Sequence, residues 1–399
     1  MTDDASADKP LTILIACDTY PPHLNGAAQF GYRLARGLNG RGHDVHVLAP
    51  NDVDGPSRSD LDGDWPVHRL RSHGVPTHEY WRICLPWEIK KEISLLFDRV
   101  QPDVVHIQCH YMVGEYTLYE AEKRGIRVIA TNHFMPANLD PFLPFPRWFK
   151  NIVAKNSWKD MGKVMGRAAV VTTPTPLAAK AMHDHAFLHD VLPLSNGIDA
   201  SVYELQPGEW IEPRDHPTVL FVGRLAEEKH VDVLIDAVAK VPAHLNVHAD
   251  IIGGGEVKSS LQAQVKRLGL ENRVVFHGLV SDADLRKAYL RADVFVMPGT
   301  AELQSLVTLE AMSASPPVLL ADAMALPHLV DPGRNGYLFE PGNSDELGER
   351  LTSILELDSE ERAAMGAHSR CMVERHSLDA TLSTFEDLYY GRPLGQGAL

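Results

Sequence analysis

Residues 218–229 read Thr-Val-Leu-Phe-Val-Gly-Arg-Leu-Ala-Glu-Glu-Lys, and this stretch decides the fold class. Its mostly apolar start, which ends at Gly223, predicts a strand that is buried on both faces of a parallel sheet. A helical pattern follows, so the residues in between form a strand-to-helix loop. Sheets of this kind bind ligands beyond the carboxyl ends of their strands, and such loops are the first place to look for chemistry.

The same alternation of buried strands and helices runs along the chain in two series. A chain of 399 residues also exceeds what one hydrophobic core usually supports. These observations predict an α/β protein with two Rossmann-like domains. The predicted strands are Leu11–Cys17, Val45–Ala49, Val104–Ile107, Val128–Thr131 and Ala169–Thr173 in the first series, and Thr218–Gly223, Val247–Gly253, Arg273–His277, Asp293–Met297 and Pro317–Ala321 in the second.

The domain boundaries follow from composition and pattern. Residues 1–197 form the first predicted domain, and residues 198–217 form a linker that contains several prolines and a glycine. Residues 218–374 form the second predicted domain. The final segment, 375–399, contains an apolar helical pattern over Ser377–Tyr390, which predicts a docked helix followed by a tail.

Composition narrows the class of protein. The formal net charge is −15, which argues against broad nucleic-acid binding, because phosphate neutralisation needs a surplus of Lys and Arg. The four cysteines are scattered without a CxxC pair, which favours a reducing compartment. The sequence shows no secretory signal and no apolar run that is long enough to span a bilayer. We therefore expect a cytoplasmic protein whose membrane role, if it has one, is peripheral.

Arg224 and Lys229 lie five residues apart in the loop after Gly223. An Arg guanidinium offers a fork of donors and a Lys ammonium offers a point charge, so the pair suits a diphosphate group. Their positive charge would also stabilise a departing nucleoside diphosphate. The alternative interpretation is an ordinary solvated loop, whereas the position at the carboxyl end of a strand favours binding.

Two glutamates, Glu302 and Glu310, flank the start of a helix that is predicted to begin near Ser305. Glu302 lies in the loop before this helix and Glu310 lies on its second turn. Ionised carboxylates accept strong hydrogen bonds from sugar hydroxyls, and the amides at a helix N-terminus bind phosphate or sugar oxygens. Two acids at this spacing are also common as plain surface charges.

In their order along the chain, these residues resemble the retaining GT-B glycosyltransferases of family 4, also called group 1. The donor loop of that family matches Gly223, Arg224, Glu228 and Lys229, and its E-x7-E element matches Glu302 and Glu310. Ser195–Asp199 resembles the hinge sequence of the family, and Ile251–Gly255 and Phe276–Gly278 fall at its glycine-rich strand ends. The resemblance covers nearly the whole chain. It implies two facing Rossmann-like domains, with a C-terminal helix that crosses back to the first domain.

The resemblance also implies how the donor is held, by the second domain in the cleft between the two. Arg224 and Lys229 would grip the diphosphate, and Glu310 would bind the nucleotide ribose. Glu302 would hold the transferred hexose together with the backbone amides around Ser305, Leu306 and Val307. At the position before Ser305 the family commonly has glycine, whereas this chain has Gln304, whose amide offers a hydrogen bond to a sugar hydroxyl.

Two positions of the first domain take their roles from the same resemblance. His133 matches the histidine that contacts the donor sugar near the reacting carbon. Gly26 belongs to a loop, Tyr20–Ala27, that resembles the loop approaching the phosphate and the acceptor. The resemblance implies no metal ion, because Arg224, Lys229 and the amides at the helix end would replace its charge. It implies no cofactor, because the nucleotide-sugar is a substrate.

The local charge reverses sign between Pro144 and Arg167. This segment contains six basic residues and one acidic residue, with Phe145 and Phe149 among its aromatic side chains. A basic, aromatic, amphipathic helix can lie on anionic lipid, with its lysine stems snorkelling. The equal alternative is that the aromatic face packs on its own domain while the lysines are solvated. The candidates for membrane contact are Arg147, Trp148, Lys150, Lys155 and Lys159.

These interpretations predict a metal-independent, retaining hexosyltransferase that moves glucose or mannose from a UDP- or GDP-sugar to a hydroxyl acceptor. Two kinds of acceptor stay open, a membrane lipid such as diacylglycerol and a soluble sugar or small alcohol. A membrane lipid would place the protein peripherally on the inner face of the cell membrane. The alternative from another class is a non-catalytic protein that binds nucleotide-sugars. The residues do not determine the linkage or the oligomeric state.

Overall fold

The protein is described by a computed structural model that covers residues 9–23, 25–75, 78–136, 146–212 and 214–394. It divides into two compact units, of which the first comprises residues 1–194 and 382–399 and the second comprises residues 195–381. Residues 198–217, expected from the sequence to be a linker, belong to the second unit. The reason is that Ile198 pairs with Ser377 and Arg286 binds Glu209 within that unit.

The first unit is built on an eight-stranded sheet. Its strands are β1 (Thr12–Ala16), β2 (Asp44–Pro50), β3 (Arg58–Asp62), β4 (Trp65–Leu70), β7 (Val104–Ile107), β8 (Arg127–Thr131), β9 (Val170–Thr173) and β10 (Val191–Pro193), while β5 (His73–Val75) and β6 (His78–Ile83) form a separate antiparallel pair. The order in the sheet is β10-β9-β8-β7-β1-β2-β4-β3, and only the β3–β4 pair is antiparallel. The mostly apolar strands β1, β7 and β8 are largely buried at its centre.

Five helices of the first unit follow the expected alternation. They are α1 (Gly26–Gly40), α2 (Pro86–Val100), α3 (Met112–Lys123), α4 (Arg147–Met165) and α5 (Pro176–Ala186). In α1, Phe30, Leu34 and Leu38 recur every fourth residue and are buried, so they form one apolar face. Thr175 caps α5, with its hydroxyl accepting the Ala178 amide at 3.3 Å.

The second unit contains a six-stranded sheet in which every pairing is parallel. Its strands are β11 (Thr218–Val222), β12 (His248–Ile252), β13 (Val274–Gly278), β14 (Val294–Met297), β15 (Val318–Ala321) and β16 (Gly336–Phe339). Its helices are α6 (Val231–Lys240), α7 (Lys258–Leu268), α8 (Asp282–Arg291), α9 (Leu306–Ser313), α10 (Ser344–Leu355) and α11 (Ser359–Val373). The strand order, β13-β12-β11-β14-β15-β16, reverses direction between β11 and β14.

The last helix, α12 (Leu378–Tyr390), begins in the second unit, and its part from Leu382 onward belongs to the first. The Glu386 carboxylate binds Arg41 and also His43, whose Nε2 lies 2.9 Å from Glu386 Oε1. The Tyr389 hydroxyl lies 2.6 Å from Nδ1 of the buried His106. These contacts confirm the expected return of the C-terminal helix to the first domain.

Candidate active site

The loops that follow β11 and β14 meet where the strand order of the second sheet reverses. β11 pairs with β12 on one side and with β14 on the other, so these two loops are neighbours at a topological switch point. The Thr300 amide donates to the Glu228 carbonyl at 3.0 Å, and His230 Nε2 lies 3.2 Å from Thr300 Oγ1. The donor residues expected from the sequence therefore come from two loops that are tied together.

The glycine-rich end of β12 makes room for the first of these loops. A Cβ on Gly253 would lie 1.9 Å from the Gly223 carbonyl oxygen, and one on Gly255 would lie 2.3 Å from that of Leu225. The backbone φ of Gly253 is also +135°, a value that residues with a side chain rarely adopt. The loop that carries Arg224 is therefore held by backbone contacts that only glycine permits.

Arg224 and Lys229 each lie against a carboxylate. Arg224 Nη2 donates to Glu228 Oε1 at 2.5 Å, and the Lys229 ammonium donates to Glu302. The Lys229 and Glu302 side chains are 19% and 11% exposed, so water screens this pair only weakly. A diphosphate that binds here competes with two carboxylates for the two cations.

The helix that carries the second glutamate starts where the sequence indicates. α9 begins at Leu306, and Ser305 before it has a left-handed backbone with a φ of 65°. The Ser305 hydroxyl lies 2.7 Å from the Thr308 hydroxyl and does not cap an amide. The first amides of a helix have no partner inside it, so those of Leu306 and Val307 suit a phosphate or sugar oxygen.

Glu310 lies on the second turn of α9 and is only 6% exposed. The buried Tyr289 hydroxyl, which comes from α8, donates to Glu310 Oε2 at 2.9 Å. Tyr289 was not identified from the sequence, because α8 is otherwise a polar helix. The second carboxylate of the site is therefore held by a residue from a different element.

Gln304 is engaged within its own unit. Its Oε1 accepts the Asn196 amide at 3.0 Å, and its Nε2 donates to Ser195 Oγ at 2.6 Å. Gln304 therefore connects the loop after β14 with residues 195–196. Each amide atom of Gln304 has capacity for a second hydrogen bond, so the expected contact to a sugar hydroxyl stays a prediction.

In the first unit, Gly26 is the first residue of α1, and His133 lies in the loop that follows β8. Asn25 caps α1 by accepting the Ala28 amide at 2.9 Å, and a Cβ on Gly26 would meet no atom within 4 Å. The His133 ring lies 4.6 Å from the Phe30 ring. Burial lowers the pKa of His133 to about 3, so the imidazole is neutral near pH 7 and acts as a hydrogen-bonding group without charge.

Three polar residues beside His133 were not singled out from the sequence. Asp18 follows β1, Gln108 and His110 follow β7, and β7 pairs with both β1 and β8. Asp18 Oδ2, both amide atoms of Gln108, and Nε2 of His110 and His133 are buried with no hydrogen-bond partner among the described residues. Burial also raises the pKa of Asp18 to about 6. Such groups at the carboxyl ends of parallel strands favour a ligand site, and their only sequence signal is a polar residue directly after an apolar strand.

One face of the helix α4 is exposed to solvent and contains both apolar and basic side chains. Trp148 and Ile152 are 65% and 48% exposed. Lys155, Lys159 and Lys163 are exposed at the same helical phase, and we call these five residues the α4 face. Lys150 is half-buried, whereas Arg147 is exposed beside the face. Pro144 and Phe145 lie outside the described residues.

The other side of α4 packs on its own domain. Met161, Val164 and Met165 are buried, and the Trp158 ring lies 5.3 Å from the His185 ring. This side of α4 therefore packs on the domain, whereas membrane contact by the α4 face stays a prediction. Among the described helices, none is long and apolar enough to cross a bilayer.

The chain has two α/β units, each built on a largely parallel sheet. In the second unit, two cations and two glutamates lie near the switch point of the sheet. This combination is typical of the GT-B class of glycosyltransferases. Comparison with known families agrees. Glycosyltransferase Family 4 matches residues 24–202, and Glycosyl transferases group 1 matches residues 203–372. The chain belongs to the group 1 glycosyltransferases of GT-B fold.

The names of similar proteins mention different sugars. The GDP-mannose-dependent alpha-mannosyltransferase of Mycolicibacterium smegmatis is 27% identical over 83% of this chain and 84% of its own length. The alpha-monoglucosyldiacylglycerol synthase of Acholeplasma laidlawii is 24% identical over 86% of this chain and 88% of its own. Anabaena Alr3699/HepE, solved in complex with UDP-glucose, has the same fold, with a TM-score of 0.73 and 19% identity over 95% of this chain and 99% of its own.

Proposed function

We propose that the chain is a retaining hexosyltransferase that takes glucose or mannose from a UDP- or GDP-sugar. The observation that carries the proposal is the meeting of Arg224, Lys229 and Glu302 at the switch point of the second sheet. In this proposal the two cations and the first amides of α9 bind the diphosphate, Glu310 binds the ribose, and Glu302 accepts hydrogen bonds from the hexose. The names of the relatives include both GDP-mannose and glucosyl transfer, which supports testing both donors.

The reaction breaks the bond between the sugar C1 and the diphosphate oxygen, and the electron pair leaves with the diphosphate. The acceptor oxygen forms the new bond to C1 on the same face, and its proton passes to the departing phosphate. This route needs no covalent carboxylate nucleophile, unlike retaining glycosidases. Arg224 and Lys229 stabilise the charge that develops on the leaving group, so the proposed reaction uses neither metal nor cofactor.

For the acceptor we propose the hydroxyl group of a membrane lipid, such as diacylglycerol or a glycolipid. The α4 face supports this choice, because three exposed lysines adjoin two exposed large apolar side chains, with no acidic residue among them. Lysines near an anionic surface contribute about 1 kcal/mol each, and Trp148 and Ile152 add apolar burial at the interface. The protein would then work peripherally at the inner face of the cell membrane.

The test of this function is turnover. The protein is incubated with UDP-glucose, UDP-galactose or GDP-mannose and with anionic vesicles that contain diacylglycerol or a monoglycosyl lipid. We expect one donor to yield a glycosylated lipid and an equal amount of nucleoside diphosphate, with the anomeric configuration of the donor. Product formed only with soluble sugars or small alcohols would replace the lipid acceptor. Donor binding without turnover on any acceptor would favour the non-catalytic binding protein.

A further inference from the structure

Tyr289 is the only buried residue in α8. The other nine positions of this ten-residue helix are half-buried or exposed. The Tyr289 ring packs edge-on against the Tyr203 ring at 5.5 Å and lies 6.2 Å from the Phe295 ring. A phenylalanine would satisfy this apolar environment, so packing does not account for the hydroxyl group.

The hydroxyl group has a specific partner in Glu310. A buried tyrosine needs a hydrogen-bond partner for its O–H, and here the acceptor is Glu310 Oε2 at 2.9 Å. Glu310 is itself 6% exposed, and a buried carboxylate is stabilised by each donor that it accepts. The bond ties α8 to the second turn of α9 and fixes the rotamer of the Glu310 side chain.

We propose that Tyr289 is a positioning residue for nucleotide recognition. By holding Oε2, it orients the Glu310 carboxylate so that the carboxylate accepts hydrogen bonds from the ribose hydroxyls of the donor nucleotide. Tyr289 does not touch the ligand, and it favours ribonucleotides over nucleotides that lack these hydroxyls. The inference rests on the proposed function, because it assigns the ribose contact to Glu310.

A cycle of protein and ligand changes tests this role. Isothermal titration calorimetry is performed with UDP, GDP and their 2′,3′-dideoxy forms on the wild type, Tyr289→Phe, Glu310→Ala and the double variant. For the wild type, we compare whichever of UDP and GDP binds more tightly with its dideoxy form. Removal of both hydroxyls should weaken binding about tenfold or more, and we call this loss of affinity the dideoxy penalty. In Tyr289→Phe this dideoxy penalty should shrink at least threefold, and in Glu310→Ala it should vanish. The double variant should match Glu310→Ala.

The dideoxy penalty is a readout that a merely structural role would not change. If Tyr289→Phe only loosened the fold, the fitted binding stoichiometry would fall while the penalty of the folded fraction stayed constant. Tyr337→Phe is the matched control, since it removes a hydroxyl from the same unit, on β16, where the ring stacks with Arg350. The control should leave both the affinity and the penalty at the wild-type level.

The outcomes separate this inference from the proposed function. A wild-type penalty that is abolished in Glu310→Ala but unchanged in Tyr289→Phe would overturn the role of Tyr289 and leave the ribose contact intact. A wild type with no dideoxy penalty would overturn the ribose contact and the inference together. In either case, turnover of a nucleotide-sugar by the same preparation would still support the transferase activity.

Discussion

The Lys229 ammonium donates to the Glu302 carboxylate, although the two residues are 73 positions apart in the chain. They come from the loops after β11 and β14, which the parallel sheet makes neighbours. The pair is mostly shielded from water, so breaking it has a real cost. In the proposed function, a donor diphosphate would replace Glu302 as the anionic partner of Lys229, and the freed Glu302 carboxylate would accept hydrogen bonds from the hexose hydroxyls. The proposal therefore links diphosphate binding to sugar binding through a single ion pair.

The two glutamates should differ in what they contribute. Glu310→Ala is expected to weaken binding of the free nucleoside diphosphate by about 1.5–3 kcal/mol, because a charged acceptor is lost from a buried position. Glu302→Ala should leave this affinity unchanged or slightly tighter, because Lys229 loses a competitor, while turnover falls. Calorimetric titration and steady-state kinetics measure the two effects. Glu271→Ala, an exposed acid of the same unit, is the control, and equal weakening in both site variants would contradict the division of roles.

Gly253 should be intolerant of a side chain. In Gly253→Ala the new Cβ would collide with the Gly223 carbonyl, which is backbone and cannot swing away. We expect a loss of stability of about 2 kcal/mol or more, together with loss of nucleotide binding. Urea denaturation and calorimetry test this. Gly254→Ala is the matched control, because a Cβ there meets nothing within 4 Å, and equal behaviour of the two variants would refute the packing argument.

The first unit should lose stability in mild acid. Burial lowers the pKa of His106 from 6.5 to about 3, and both of its ring nitrogens face hydroxyl groups, at 2.6 Å for Tyr389 and 2.7 Å for Thr131. The unfolded chain therefore takes up this proton at a higher pH than the folded chain does. The free energy of unfolding should fall as pH decreases below about 6.5, by roughly 1.4 kcal/mol per pH unit for one such histidine.

His133 titrates in the same direction, whereas Asp18, whose pKa burial raises to about 6, opposes part of the change. The informative comparison is therefore between variants. His106→Gln should make the dependence of the unfolding free energy on pH between about 6.5 and 5 shallower without abolishing it, because burial also lowers the pKa values of His68, His110 and His133. His183→Gln, at an exposed position, should leave the dependence unchanged. An equal slope in His106→Gln and the wild type would show that His106 does not set the acid sensitivity.

The α4 face should determine membrane binding. The wild type is expected to sediment with anionic vesicles but not with neutral ones, and salt should release it. Lys155→Glu/Lys159→Glu/Lys163→Glu should abolish sedimentation, since each lysine contributes about 1 kcal/mol and reversal adds repulsion. Lys258→Glu/Lys266→Glu/Arg267→Glu on α7 changes the net charge equally and is the control. Wild-type protein that stays in the supernatant would remove the lipid acceptor from the proposal.

Most strands of the two sheets, including β13 at one edge, were predicted from the sequence, whereas β3, β4, β10 and β16 were not. Runs such as Thr218–Val222 and Val294–Met297 are almost entirely apolar because both faces of the central strands are buried. β3 is polar and largely exposed, and β4 contains the buried polar pair His68 and Arg69, so neither has the apolar pattern of a parallel strand. β16 consists of four residues at the edge of the second sheet and gives little signal.

The residues proposed for the donor site could be picked out from the sequence because they lie in loops that follow apolar strands or in the first two turns of a helix. Tyr289 was not, since its role depends on a helix packing that brings α8 to Glu310. The amide of Gln304 illustrates a second limit. Its residue type suits a sugar hydroxyl, and only the fold shows that it also binds Ser195 and Asn196.

The most direct test of the account is the turnover of Arg224→Ala and Lys229→Ala with the donor that the wild type accepts. Coupled measurement of nucleoside diphosphate release and glycosylated product gives kcat/KM for each variant, and Lys240→Ala, an exposed lysine of the same unit, is the control. Loss of either cation should reduce kcat/KM roughly 30- to 1000-fold, which corresponds to about 2–4 kcal/mol of lost transition-state stabilisation. The melting temperature should be preserved. Values of kcat/KM near the wild type in both variants would contradict the assignment of the donor site.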